Sequence, residues 1–109
     1  MSGEWDSLTK MAKIEVVVDG ADVPAVRELL LQAGATGYTS VDGVSGLGHH
    51  GQHQGRLLFN DRSSLSMIIS VVPLDQVEPV IAGVRQLLQD RHGVFFVSET
   101  NVSRPEYFA

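Results

Sequence analysis

The chain has no cysteine among its 109 residues. That removes disulfides, thiolate metal sites and cysteine nucleophiles, and it suits a reducing compartment such as the cytoplasm. Basic residues are few, with eight Lys and Arg against thirteen Asp and Glu and a net charge of −5. Such a chain lacks the basic stripe by which a non-specific binder holds nucleic acid, so no nucleic-acid partner is expected. No apolar run approaches the roughly 20 residues needed to span a membrane. The opening MSGEWDSLTKMAK has no hydrophobic segment of the secretory type. Residues 1–12 are expected to form a flexible extension and residues 13–109 a single domain, because a chain this short has room for one core.

What is present is globular: 43% hydrophobic and 19% charged residues exclude a disordered chain. Residues 14–18 (IEVVV), 38–44 (YTSVDGV), 65–72 (LSMIISVV) and 94–99 (VFFVSE) read as strands, with a short strand arm at 57–59. Val23, Val26, Leu29, Leu30 and Ala33 recur at helical spacing. Asp22 is the expected N-cap, Pro24 lies in the first turn and Gly34 supplies the stop. Val77, Val80, Ile81, Val84, Leu87 and Leu88 form a second helical stripe, opening near residues 73–75 with Pro79 in its first turn and ending at His92 and Gly93. Strand, helix, strand occurs twice. The prediction is an α+β, ferredoxin-like βαββαβ domain, a four-stranded antiparallel sheet with two helices on one face.

Those strands carry a second message. Met67, Ile69 and Val71 alternate with Ile68, Ser70 and Val72, and the pairs Val94/Phe96 and Phe95/Val97 likewise make both faces apolar. A sheet covered by helices on one side normally shows water a polar second face. An apolar one predicts assembly of copies, sheet against sheet.

Residues 45–55, SGLGHHGQHQG, hold three rival motifs. From Gly46 to Gly51 they satisfy G-x-G-x-x-G, but a dinucleotide fingerprint needs a helix immediately afterwards. The following QHQGRLLFNDRSS has no helical period, so that reading is excluded. His49, His50 and His53 are of a type that ligates zinc, copper or nickel. No carboxylate or thiolate lies within the cluster to complete a tetrahedral set, and no metal is expected. Without a G-x-S-x-G elbow or a standout carboxylate pair, no enzyme is expected either. Backbone anion binding remains. Gly37, Gly43, Gly46, Gly48, Gly51 and Gly55 crowd one end of the second strand, where N–H groups could surround an anion. Arg56, Arg62 and Arg104 are candidate charge partners. The same glycines are equally the composition of a mobile loop.

GATGYT at 34–39, then GLGHHG and a long loop, then RHGVFFVSETNVSR, occur in an order that resembles the PII signalling proteins over residues 13–108. The matching parts are that family's G-h-T segment, G-F-G segment, T-loop (about 45–62 here) and last strand. The resemblance implies a homotrimer with an adenine nucleotide in each cleft between subunits. Gly37, Tyr38, Thr39 and, from the adjoining subunit, Met67 would lie near adenine and ribose. Gly46, Leu47 and Gly48 would carry the loop past the phosphates, Gly93, Val94 and Phe95 would wrap the nucleotide, and Arg104 matches the C-terminal phosphate arginine. Val94 replaces the family's phosphate lysine, the loop is shorter, and it has no tyrosine for uridylylation. Its glutamine has no clear match, although His50 or Gln52 could stand in. These departures disfavour ATP with 2-oxoglutarate and magnesium, and favour ADP or AMP.

Within the family, GATGYT and the truncated glycine loop are most similar to the carboxysome-associated and bicarbonate-linked PII-like proteins. That likeness implies bicarbonate near Gly48, His49, His50, Gly51, Arg56 and Arg62. It also implies a cytoplasmic, carboxysome-associated protein whose loop regulates a protein partner in inorganic-carbon metabolism, which the sequence does not identify. Bicarbonate beside phosphate requires a cation, for which Arg56, Arg62 and Arg104 are available. The alternative is a trimeric PII-like or CutA-like metal-binding protein with His49, His50 and His53 as ligands. A third reading is an oligomeric interaction module without a small ligand.

Overall fold

The computed structural model describes residues 5–45 and 65–109. Its layering is decided by the alternation of β1 (Thr9–Asp19), where Ala12, Ile14, Val16 and Val18 are buried and Lys13, Glu15 and Val17 between them are half-buried. β1 pairs antiparallel with β3 (Leu65–Val72) on one side and with β4 (Gly93–Val102) on the other. β2 (Thr39–Val44) adds to the far edge of β3, giving the order β2-β3-β1-β4. Helices α1 (Val23–Gln32) and α2 (Val77–Leu87) cover one face. This is the ferredoxin-like βαββαβ arrangement expected from the repeated pattern.

The core lies between helices and sheet. Val26 and Leu30 of α1 and Val80 and Val84 of α2 are fully buried against Ile14, Val16, Val18, Ile68 and Val72. Each such side chain contributes about 1.5–3 kcal/mol on leaving water. α1 ends in a Schellman motif: Gly34 takes φ +111°, its N–H donates to the Leu31 carbonyl, and the Ala35 N–H donates to the Leu30 carbonyl. Leu30 and Ala35 are both buried there, the apolar contact that accompanies such a cap.

Three details depart from the expected boundaries. β1 begins at Thr9, so residues 9–12 belong to the domain and not to an extension; Thr9 and Lys10 pair with Val102 and Asn101, and Met11 is buried. Asp22 makes no cap to α1. Its carboxylate instead lies 3.4 Å from Nε of Arg91, whose Nη1 donates to the Leu87 carbonyl at the end of α2. α2 stops at Leu87 and passes through a 3-10 turn (Leu88–Asp90), so Gly93 does not end the helix but opens β4. A Cβ on Gly93 would stand 2.8 Å from Val18 Cγ1 and 3.0 Å from the Val17 carbonyl oxygen, so glycine is required by close packing of β4 on β1. The strand arm expected at 57–59 lies outside the described residues.

On the helix side of β3 two serines interrupt the apolar row, and both are satisfied. Ser66 Oγ donates to Asp42 Oδ1 at 2.9 Å and Ser70 Oγ donates to the Gly37 carbonyl at 2.7 Å. Among the described residues no helix lies on the opposite face. Val94, Val17, Met67 and Val41 stand in one row across it, and Phe96, Glu15, Ile69 and Thr39 in the next. Phe96 is 56% exposed and Val94 50%, so the apolar second face read from the strands is present, and the described residues leave it open. Among the described residues no helix is long and apolar enough to cross a membrane.

Candidate functional site

The residues before β2 do not form a regular element, and Ser70 fixes their course by holding the Gly37 carbonyl from the neighbouring strand. This puts Thr36, Gly37, Tyr38 and Thr39 opposite Ile69, Ser70 and Val71, with Thr39 level with Ile69. The chain's last residues complete the enclosure. After β4 ends beside the start of β1, a 3-10 turn (Pro105–Tyr107) lies over the end of the sheet on the β2 side. There Thr36 Oγ1 donates to the Tyr107 carbonyl at 3.2 Å. The result is a cleft of about 250 Å³ walled by the segment 36–39, the end of β3, and Tyr107 with Phe108.

Two cation–aromatic contacts border it. The Arg27 guanidinium carbon lies 5.8 Å from the centroid of the Tyr38 ring. That of Arg104 lies 5.3 Å from the Tyr107 ring, and Arg104 Nη1 donates to Tyr107 Oη at 2.7 Å. A cleft with an apolar wall, two exposed aromatic rings and an arginine at its rim can take a flat ring system carrying an anionic group.

The site residues expected from the sequence fall into three groups. Gly37, Tyr38 and Thr39 line the cleft, and Arg104 opens the turn that closes it. Met67 is on the open face beside Val41, so the strand assigned to an adjoining subunit also stands next to residues 37–39 of its own chain. Gly93, Val94 and Phe95 lie elsewhere. They are level with Val18, Val17 and Val16 on the outer strand, two strand spacings from β3, about 10 Å. Phe95 packs its ring against the core and Gly93 is pressed on Val18, while Val94 faces outward. One chain therefore does not bring them to the cleft at residues 37–39. Gly46, Leu47, Gly48, His49, His50, Gly51, His53, Arg56 and Arg62 lie outside the described residues. Among the described residues no three His, Asp or Glu side chains gather to hold a metal ion.

Ser70, Tyr107 and Phe108 carry no site motif in the sequence, and Thr36, although inside GATGYT, carries no expected role there. The one usable signal was the spacing of Arg104 and Tyr107, which a 3-10 turn places side by side.

The four-stranded sheet with two helices on one face and a cleft at its β2 edge is that of a small two-layer α+β domain. Residues 11–107 match the family described as nitrogen regulatory protein P-II, and the chain belongs to it. CPII of Thiomonas intermedia K12, solved bound to ADP and bicarbonate, is 37% identical, with 94% of this chain and 97% of that one covered and a TM-score of 0.78. A second structure of CPII, a nitrogen regulatory PII-like protein, bound to ADP, AMP and bicarbonate, is 39% identical over 93% and 95% of the two chains, with a TM-score of 0.78. GlnK of B. subtilis in complex with ATP shares the fold at 22% identity, 84% and 82% coverage and a TM-score of 0.55. A comparison with curated proteins finds no match.

Proposed function

We propose that this chain is a non-enzymatic, cytoplasmic PII-like signalling protein that binds ADP or AMP in clefts between the subunits of a homotrimer, together with bicarbonate. The observation that carries the reading is the likeness of nearly the whole chain to CPII, whose solved ligands are ADP, AMP and bicarbonate.

Two physical points support the trimer. A cleft of about 250 Å³ is below the roughly 300–1,000 Å³ usual for small-molecule pockets, so a nucleotide needs a second wall. The open face, with Val94, Phe96 and Val41 each at least 40% exposed, needs a cover. Packing the open faces of three copies answers both needs. It allows residues 93–95 of one subunit to reach the cleft at residues 37–39 of its neighbour, a meeting that the strand order forbids within one chain. Arg104 supplies positive charge for the phosphates, and Val94 in place of a lysine keeps that charge modest, in favour of ADP or AMP over ATP.

Bicarbonate lies beside the last phosphate, held by N–H groups of residues 48–51 with His49 or His50 and with Arg56 or Arg62. Binding selects one arrangement of the loop 45–62, and a partner in inorganic-carbon metabolism reads it. The selection is only as strong as the ligands' differential affinity for that arrangement.

Calorimetric titration of ADP and AMP, with and without bicarbonate and then with zinc or copper, tests the reading. It predicts nucleotide heat that grows with bicarbonate, and loss of that heat in Arg104→Ala. No nucleotide binding under any condition contradicts it. Metal binding abolished by joint replacement of His49, His50 and His53 with Ala would favour the metal-binding alternative.

A further inference from the structure

The Arg104 side chain is already arranged before any ligand arrives, and the residue that arranges it has no motif of its own. Tyr107 meets Arg104 three ways: its Oη accepts from Nη1 at 2.7 Å, its ring lies 5.3 Å from the guanidinium carbon, and its N–H donates to the Arg104 carbonyl at 3.0 Å. The ring distance is within the range at which a guanidinium is attracted to an aromatic face. Tyr107 is in turn tied to the cleft wall, because its carbonyl accepts from Thr36 Oγ1 at 3.2 Å, and the Phe108 N–H closes the same turn on the Pro105 carbonyl at 2.9 Å. The chain end is thus a strap pinned to the segment next to Gly37. Its aromatic residues, Tyr107 and Phe108, form part of the cleft lining.

We infer that Tyr107 is a positioning residue for the phosphate of the bound nucleotide. It sets Arg104 at the cleft rim and leaves the rest of its donor fork open to an anion. This rests on the nucleotide reading above. Arginine has five N–H donors in a fixed plane. The Tyr107 hydroxyl engages one nitrogen, and a phosphate takes two parallel bonds from the others. A long side chain gripping an anion loses rotamer freedom, and a contact that restricts it beforehand reduces that loss on binding. Because the Tyr107 hydroxyl acts on the phosphate, through Arg104, it governs the choice between nucleotide and nucleoside.

The test is a set of binding constants for adenosine, AMP and ADP, measured on the unmodified protein and on Tyr107→Phe, Arg104→Ala and the double variant. Loss of the hydroxyl keeps the ring, so the turn and the Thr36 bond remain. We expect Tyr107→Phe, which keeps the ring in the cleft lining, to lower the affinity for ADP relative to adenosine roughly three- to tenfold. Arg104→Ala should cost more, and the double variant should equal Arg104→Ala, since Tyr107 works only through that arginine. An unchanged ADP-to-adenosine ratio in Tyr107→Phe overturns the inference, as does an equal loss for both ligands, which marks a role in structure alone. Additive losses in the double variant also overturn it. If the unmodified protein binds no nucleotide, the nucleotide reading itself is overturned, an outcome distinct from a nucleotide binder indifferent to Tyr107.

Discussion

Ile68 and Ile69 are neighbours in β3 with the same side chain, yet the first is fully buried beneath two helices and the second is half-buried on a face that none of the described helices covers. The whole sheet repeats that contrast. On one side Ile14, Val16, Val18, Ile68 and Val72 meet α1 and α2; on the other Val17, Val41, Met67, Ile69, Val94 and Phe96 meet no helix among the described residues. Strands apolar on both faces suit burial on both sides, and the described elements supply only the first. In the proposed trimer association supplies the second, so that reading joins the nucleotide site to the assembly.

The contrast can be broken by substitution. The largest effect belongs to Ile68→Ala, a cavity in a close-packed core, expected to cost about 2–5 kcal/mol in urea denaturation. Ile69→Ala should instead show its loss as a lower midpoint that depends on protein concentration, because its burial comes from other copies. Equal, concentration-independent losses would mean the two faces are already equivalent within one chain. Next is Phe96→Lys. Phe96 pairs across the strands with Glu15, so the lysine gains a carboxylate partner in the single chain while making the open face charged. The fold should survive and the trimer should dissociate in sedimentation analysis.

Two glycines give the smaller effects. Gly93→Ala puts a methyl against Val18 Cγ1 at 2.8 Å and the Val17 carbonyl at 3.0 Å, neither of which can yield easily, and about 1–3 kcal/mol should be lost. Gly83→Ala meets only the end of the Leu29 side chain, Cδ1 at 2.6 Å. That end can rotate, and alanine gains about 0.8–1.0 kcal/mol of helix propensity. Its net change should be within about 1 kcal/mol by thermal melting, and a loss as large as that of Gly93→Ala would show that α1 and α2 are packed as rigidly as the strands.

The elements with a strong period are readable in the sequence. Strand 65–72, the stripes of both helices, the Gly34 stop and the two apolar faces of β3 follow from alternation and from a residue that tolerates positive φ. What escaped has no period. Residues 9–12, TKMA, look like a polar leader, and only pairing with Asn101 and Val102 makes them strand. Asp22 has the chemistry of a cap but is drawn to Arg91, 69 positions later, a partner that no local pattern announces. Gly93 reads as a helix stop because its true constraint, the Val18 side chain, comes from a distant strand. The candidate site divides in the same way: Gly37, Tyr38, Thr39 and Arg104 rest on motifs, whereas Ser70 and Tyr107 act through contacts that the fold creates.

The central claim is that the nucleotide site exists only between subunits, and titration of ADP in the presence of bicarbonate into Phe96→Lys beside the unmodified protein tests it most directly. Folding of the variant is verified first from its circular dichroism. The account predicts binding of about one ADP per chain by the unmodified trimer and at least a hundredfold weaker binding by the dissociated variant, a loss of about 2.7 kcal/mol or more. Undiminished ADP affinity in a folded, monomeric Phe96→Lys would contradict it and place the whole site within one chain.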